Sequence, residues 1–274
     1  MSVTQEANGR RSLAVEFEAA GTPDEVWQAI ATGPGISSWF VPAEIEQRNG
    51  KPVAVTYHFS PEMPIRGELT AWDPPRMFAA QQAEGWGDAP PMTTEWFVEA
   101  RAGGVCVVRM VHSLFASTDA WDDQLEQATE GWSGFLVNLR VYLKHFRGQE
   151  HSAIMQVVAP VAGPDATSWE ALTAALQLQG MAAGQRWSTP AGSPALSGVL
   201  EHVHENPYDI LVRLDTPGPG IAALGAATYP GGQSVVAMNL YLYGDQADDT
   251  VTRETPRWQA WFAARFPQNA NASG

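Results

Sequence analysis

Cysteine is almost missing from this chain: Cys106 is the only one in 274 residues. That excludes an internal disulfide and a thiolate metal cluster. Cys106 lies in the apolar run Val105–Val108, where a small buried hydrophobe is the expected role and a nucleophile is not. Positive charge is also scarce, 16 Lys and Arg against 30 Asp and Glu, for a net charge of −14. An acidic chain without a Lys/Arg run is a poor partner for a nucleic-acid backbone or an anionic membrane surface. No run of 18 apolar residues occurs, and MSVTQEANGRR at the amino terminus has no apolar signal core. The expectation is a soluble, cytoplasmic protein.

Recognised catalytic motifs are missing too. Gly218-Pro219-Gly220 resembles part of a dinucleotide fingerprint, but no helix follows and Pro219 stiffens it as a turn. Gly131-Trp132-Ser133-Gly134 falls inside a helix pattern, so it is not a nucleophile elbow. His202 and His204 share a strand face, yet no third ligand is indicated. Neither a metal nor a cofactor is expected.

What the chain does contain is a core and a clear order of elements. Hydrophobic residues make up 45% of it, enough to exclude global disorder. After a strand at Leu13–Ala19, Thr22 offers a helix cap, Pro23 the first helical position and Glu25 a capping box. Val26 and Ile30 share one face, and Thr32-Gly33-Pro34-Gly35 stops the helix. Strands follow at Val41–Gln47, Pro52–Phe59, Ile65–Trp72, Met77–Gln82, Thr93–Ala100 and Val105–Ser113. The first two are joined across Asn49-Gly50, a strong hairpin signal. Six strands in succession predict an antiparallel meander. From Asp119 to Arg147 one apolar stripe runs through Trp121, Leu125, Ala128, Trp132, Phe135, Leu139, Tyr142 and Phe146. It predicts a long helix lying across the sheet.

The second half repeats the plan. A strand at Ile154–Val161 is followed by Pro164-Asp165 ahead of Trp169 and a helix over Glu170–Gln177, echoing Pro23-Asp24 ahead of Trp27. Strands at Leu196–His204, Ile210–Asp215, Ile221–Tyr229 and Ser234–Tyr243 come next, with turns at Asn206-Pro207 and Pro230-Gly231-Gly232. Thr255-Pro256 then reads as the start of a terminal helix carrying Trp258, Trp261, Phe262 and Phe266 on one face. The pattern predicts a degenerate internal duplication: a first domain over 11–148, a second, reduced domain of related α+β topology over 150–267, and a disordered tail over 268–274.

The passages TPDEVWQAI, SSWF, GELTAWDPPRMF and GWSGFLVNLRVYL together resemble the START-like (SRPBCC) superfamily. Within it the likeness is to bacterial homologues of the heat-shock-protein-90 ATPase activator, and it spans about Arg11 to Arg147. The resemblance implies a helix-grip α+β fold, an antiparallel sheet around a long carboxy-terminal helix with a cavity between them. It also implies apolar or amphipathic small molecules as ligands, some members being cyclases.

A cavity of that kind would be lined by Trp39, Phe40, Tyr57, Phe59, Met63, Trp86, Trp96, Met110, His112, Trp132, Phe135 and Leu136. Large aromatics fill space in most cores, so the ligand reading leans on the resemblance. Strand alternation sets His112 beside Met110 and puts Arg109 on the other face. His112 and Arg109 are the weak catalytic candidates, and Glu95 is a cross-strand partner for Arg109. The leading expectation is non-covalent binding of a small hydrophobic or aromatic molecule. The alternatives are a polyketide cyclase or aromatase and a protein-interaction module, with a homodimer or a regulator as partner.

Overall fold

Hydrophobic alternation and two kinds of turn chemistry account for most of the first sheet. The computed structural model describes residues 3–60, 63–82, 90–149, 152–161, 164–205, 208–228 and 234–267. They divide into two compact units, Met1–Gly148 and Gln149–Gly274. Trp86, the side chain of Met63, the turns at Asn206-Pro207 and Pro230-Gly231-Gly232, and the tail over 268–274 lie outside the described residues.

The first unit begins with β1 (Thr4–Gln5) and β2 (Arg10–Ala20), followed by α1 (Pro23–Ala31) and α2 (Gly33–Ser37). Thr22 closes a full capping box: its hydroxyl accepts from the Glu25 amide at 3.3 Å while the Glu25 carboxylate accepts from the Thr22 amide at 2.7 Å. Gly35 lets α2 fold back on α1, since a Cβ there would stand 1.8 Å from the Gln28 carbonyl oxygen. The meander is β3 (Ala43–Arg48), β4 (Lys51–Ser60), β5 (Met63–Asp73), β6 (Met77–Gln82), β7 (Thr93–Arg101) and β8 (Val105–Phe115). Asn49 and Gly50, at φ 53° and 75°, form the two-residue turn between β3 and β4. The strand order is β1-β2-β8-β7-β6-β5-β4-β3 and every pairing is antiparallel.

Helix α3 (Asp122–His145) closes the unit by packing on β2 and β8. Its start has no side-chain cap. Instead Asp122 and Asp123 complement the helix dipole, and Arg11 of β2 grips Asp122 through two hydrogen bonds. Arg11 holds the Asp122 carboxyl below the usual range. At the far end Arg147 pairs with Glu25 at 3.2 Å. The buried face of α3 is Leu125, Thr129, Leu136, Asn138, Leu139, Val141, Tyr142 and Leu143. Trp132 and Phe135 of the sequence stripe remain only half-buried.

The second unit comprises β9 (Ser152–Val161), α4 (Asp165–Ala175), β10 (Arg186–Ser188), β11 (Ser197–Glu205), β12 (Tyr208–Thr216), β13 (Gly220–Thr228), β14 (Ser234–Tyr243) and α5 (Ala247–Arg265). Its sheet runs β10-β11-β12-β13-β14-β9, again antiparallel throughout. Helix α5 begins at Ala247, eight residues ahead of the start that Thr255-Pro256 suggested, and Pro256 sits inside it. The proline's missing donor frees the Thr252 carbonyl, and both residues are exposed, so water can take that position. Among the described residues no helix is long and apolar enough to cross a membrane.

Candidate functional site

The capping box and the α1–α2 fold-back deliver Trp39 and Phe40 to the interior of the first unit. There the Trp39 indole donates to the Ala29 carbonyl at 2.9 Å, which fixes its plane against α1. Phe40 is the hub. Its ring lies 4.4 Å from Trp132, 4.5 Å from Phe135, 5.4 Å from Phe59 and 5.6 Å from both Trp39 and Tyr57, centroid to centroid. Trp132 extends the network to Trp96 at 5.8 Å and His112 at 5.9 Å. Most of these pairs are tilted or edge-to-face, the arrangement favoured by ring quadrupoles.

Burial grades across the cluster. Trp39, Phe40, Trp96, Met110, His112 and Leu136 are buried, whereas Tyr57, Phe59, Trp132 and Phe135 keep part of their surface in water. The structure therefore brings together nine of the twelve lining candidates through direct ring contacts or, for Met110, as the residue two before His112 on the same face of β8. Leu136 is buried one turn along α3 from Trp132. Burial raises the Tyr57 phenol above its ordinary pKa, so it stays protonated at neutral pH.

The polar atoms at the base of the cluster are few. His112 is fully buried, and its Nδ1 stands 3.1 Å from Thr129 Oγ1. The Thr129 hydroxyl donates to the Leu125 carbonyl at 2.8 Å. His112 Nε2 has no hydrogen-bond partner among the described residues. Burial pushes the imidazole pKa down from 6.5 to about 4, so the ring is neutral at physiological pH. Asn138, also buried, donates from Nδ2 to the Trp39 carbonyl at 3.3 Å and leaves Oδ1 without a partner among the described residues. Sequence reading passed over Thr129 and Asn138. The available signal was a polar residue at helical spacing on the apolar face of α3: Thr129 four residues from Leu125, and Asn138 three from Phe135 and four from Tyr142.

Arg109 does not join this group. It is exposed on the opposite face of β8, with its guanidinium 5.9 Å from the centre of the Phe97 ring. Glu95 pairs with Arg10 rather than with Arg109, because the register places Glu95 opposite Val111 and sets Arg109 opposite Phe97. Cys106 is buried and donates to the Gly21 carbonyl at 3.3 Å; burial first, and the Glu25 carboxylate second, push its thiol pKa up, the reverse of an activated nucleophile. In the second unit His202 and His204 stack at 5.7 Å, and His202 Nε2 lies 3.1 Å from Asp209.

An open groove of about 540 Å³ runs between the 192–195 loop and α5 in the second unit. Its polar groups are committed: Arg257 to Glu254 at 3.2 Å, Arg265 over the Trp261 ring at 4.0 Å, and the Trp261 indole to Ser193 at 2.9 Å. The ring cluster of the first unit, with its unpartnered acceptor, is the better candidate site.

An antiparallel meander with β2 paired to its last strand, β8, closed by a long helix over an aromatic interior, is a helix-grip domain of the START-like class. Residues 20–144 match the family model described as Activator of Hsp90 ATPase homolog 1-like protein. No curated protein matches the chain. Similar solved structures include the di-domain ARO/CYC BexL from the BE-7585A biosynthetic pathway, 14% identical with a TM-score of 0.44, covering 93% of this chain and 95% of that one. CalU16 from Micromonospora echinospora is 18% identical with a TM-score of 0.41, covering 52% of this chain and 83% of that one. The Aha1 dimer from Colwellia psychrerythraea is 19% identical with a TM-score of 0.39, covering 50% of this chain and 98% of that one. Scores this low leave the fold to be read from the strand order itself.

Proposed function

We propose that the first unit binds a small, flat, hydrophobic or aromatic molecule among the rings between the sheet and α3. The observation that carries this reading is the grading of one continuous ring cluster from half-exposed to buried. Tyr57, Phe59, Trp132 and Phe135 meet water, while Trp39, Phe40 and Trp96 do not. A cluster serving only as core gains most by burying every ring, about 25 cal/mol per Å² of apolar surface. Partly exposed rings joined to buried ones instead form a stacking surface leading inward.

The amino-terminal half of α3 is the natural way in. Between Asp122 and Gly134 only Leu125 and Thr129 are fully buried, against six residues between Leu136 and Leu143. Gly131 meets nothing within 4 Å where a Cβ would stand, and glycine in a helix interior costs about 1 kcal/mol relative to alanine. We further propose that the two units descend from one plan used twice, with the ligand site kept in the first.

The test is native mass spectrometry of the full chain purified from its own host, together with a calorimetric titration with naphthalene. A co-purified small molecule or saturable binding, weakened at least tenfold in Trp132→Ala, is the expected result. A chain that carries nothing and takes up no two-ring aromatic sinks the reading.

A further inference from the structure

We propose that His112 is a specificity residue of this site: its Nε2 accepts a hydrogen bond from a hydroxyl or N–H on the ligand, so the site selects donor-bearing aromatics over capped analogues. The inference rests on the reading of the ring cluster as a ligand site.

It follows from counting protons. A threonine hydroxyl has one hydrogen, and Thr129 uses it on the Leu125 carbonyl at 2.8 Å. Its oxygen can then only accept from His112 Nδ1 at 3.1 Å, so Nδ1 carries the imidazole proton. In the neutral ring Nε2 is left as a lone pair. That atom is buried and has no partner among the described residues, although the Trp132 ring centre is 5.9 Å from that of His112. A buried acceptor left unsatisfied costs about 1–3 kcal/mol. A ligand O–H or N–H that reaches it recovers that cost. A ketone or ether oxygen in the same place would set one lone pair against another, and an apolar edge would leave the nitrogen unpaired. The low imidazole pKa supports the assignment, since a protonated ring would reverse the preference.

Calorimetric titration of the full chain at neutral pH with 2-naphthol, naphthalene and 2-methoxynaphthalene tests this. We expect 2-naphthol to bind about tenfold more tightly than 2-methoxynaphthalene. In His112→Phe that ratio falls to about one. Equal binding of the two by the wild-type chain overturns the proposal and leaves the ring-lined site standing; it is the result expected if Nε2 merely holds a buried water. Failure of all three probes overturns both readings. Should His112→Phe not fold, nitrogen NMR of the wild-type imidazole decides. A proton on Nδ1, with an Nε2 resonance that moves on addition of 2-naphthol but not of 2-methoxynaphthalene, supports the proposal. A proton on Nε2 overturns it.

Discussion

The closing strands of the two units carry nearly the same inward ladder and differ in kind at one step. In the first unit β8 presents Val108, Met110, His112 and Leu114 to the interior; in the second β14 presents Val236, Met238, Leu240 and Leu242, and none of the eight is more than 4% exposed. The register matches as well. Val15 faces Met110 and Leu13 faces His112, as Val157 faces Met238 and Met155 faces Leu240. A leucine at this step joins a continuous apolar core around Met155, Leu172 and Trp258. A histidine at the same step brings an unpartnered nitrogen into a buried place. Packing alone favours the leucine, so the difference between the ladders points to a use for the nitrogen.

Exchanging the two residues is the strongest way to break this comparison. Leu240→His should lower the stability of the second unit by about 4 kcal/mol, combining about 2 kcal/mol of lost apolar burial with the cost of placing a polar ring in a site that is fully buried among apolar side chains. The reverse exchange, His112→Leu, should leave the first unit as stable as before or about 1 kcal/mol more so. Urea denaturation followed by residue-resolved NMR separates the units. Equal losses from both exchanges would make His112 an ordinary packing residue and remove the contrast.

Acid gives the next largest effect. The unfolded chain takes up a proton at histidine near the ordinary 6.5, whereas folded His112 resists it down to about 4. The unfolded state therefore binds more protons in that window. The stability contributed by His112 is fully present above pH 6.5 and is lost as pH falls to about 4, a change on the order of 3 kcal/mol. Leu240 contributes nothing of the kind. The stability difference between wild type and His112→Leu should therefore widen between pH 7 and pH 4. A difference that stays flat would mean that the imidazole is protonated in place.

How much of this was legible in the sequence depends on the range of the interaction. The meander and its hairpins follow from alternation and Asn49-Gly50, which act between near neighbours, and the strand limits agree to within a few residues. Trp39 and Phe40 were reachable because their cap and turn are local. The start of α5 was misplaced because Thr255-Pro256 is a local start signal, whereas the turns ahead of it are held in the helix by burial of Ala247, Thr250 and Glu254. The pairing of Glu95 with Arg10, and of His112 with Thr129, spans 85 and 17 residues and depends on strand register and on the rotation of α3. Neither can be read from spacing along one element. The polar atoms that distinguish a site from a core were therefore the part the sequence concealed.

The smallest contrast lies at the first helix of each unit, where two similar proline-aspartate passages end differently. Thr22 caps α1 with a reciprocal pair of hydrogen bonds to Glu25, while α4 has Pro164 at the equivalent place and no side-chain cap bond. The α1 cap also bears on the candidate site, because α1 supplies the Ala29 carbonyl that orients Trp39. Thr22→Ala should cost about 1 kcal/mol, and Pro164→Ala about 0.5 kcal/mol through the added freedom of the unfolded chain. Thermal denaturation of the two variants ranks them. The Thr22 variant should also show increased solvent exchange at the Trp39 indole, which the Pro164 variant should not. A Thr22→Ala protein as stable as wild type, with the indole still protected, would mean that the packing of Val26 and Ile30 alone holds α1 in place and that the two entrances are equivalent.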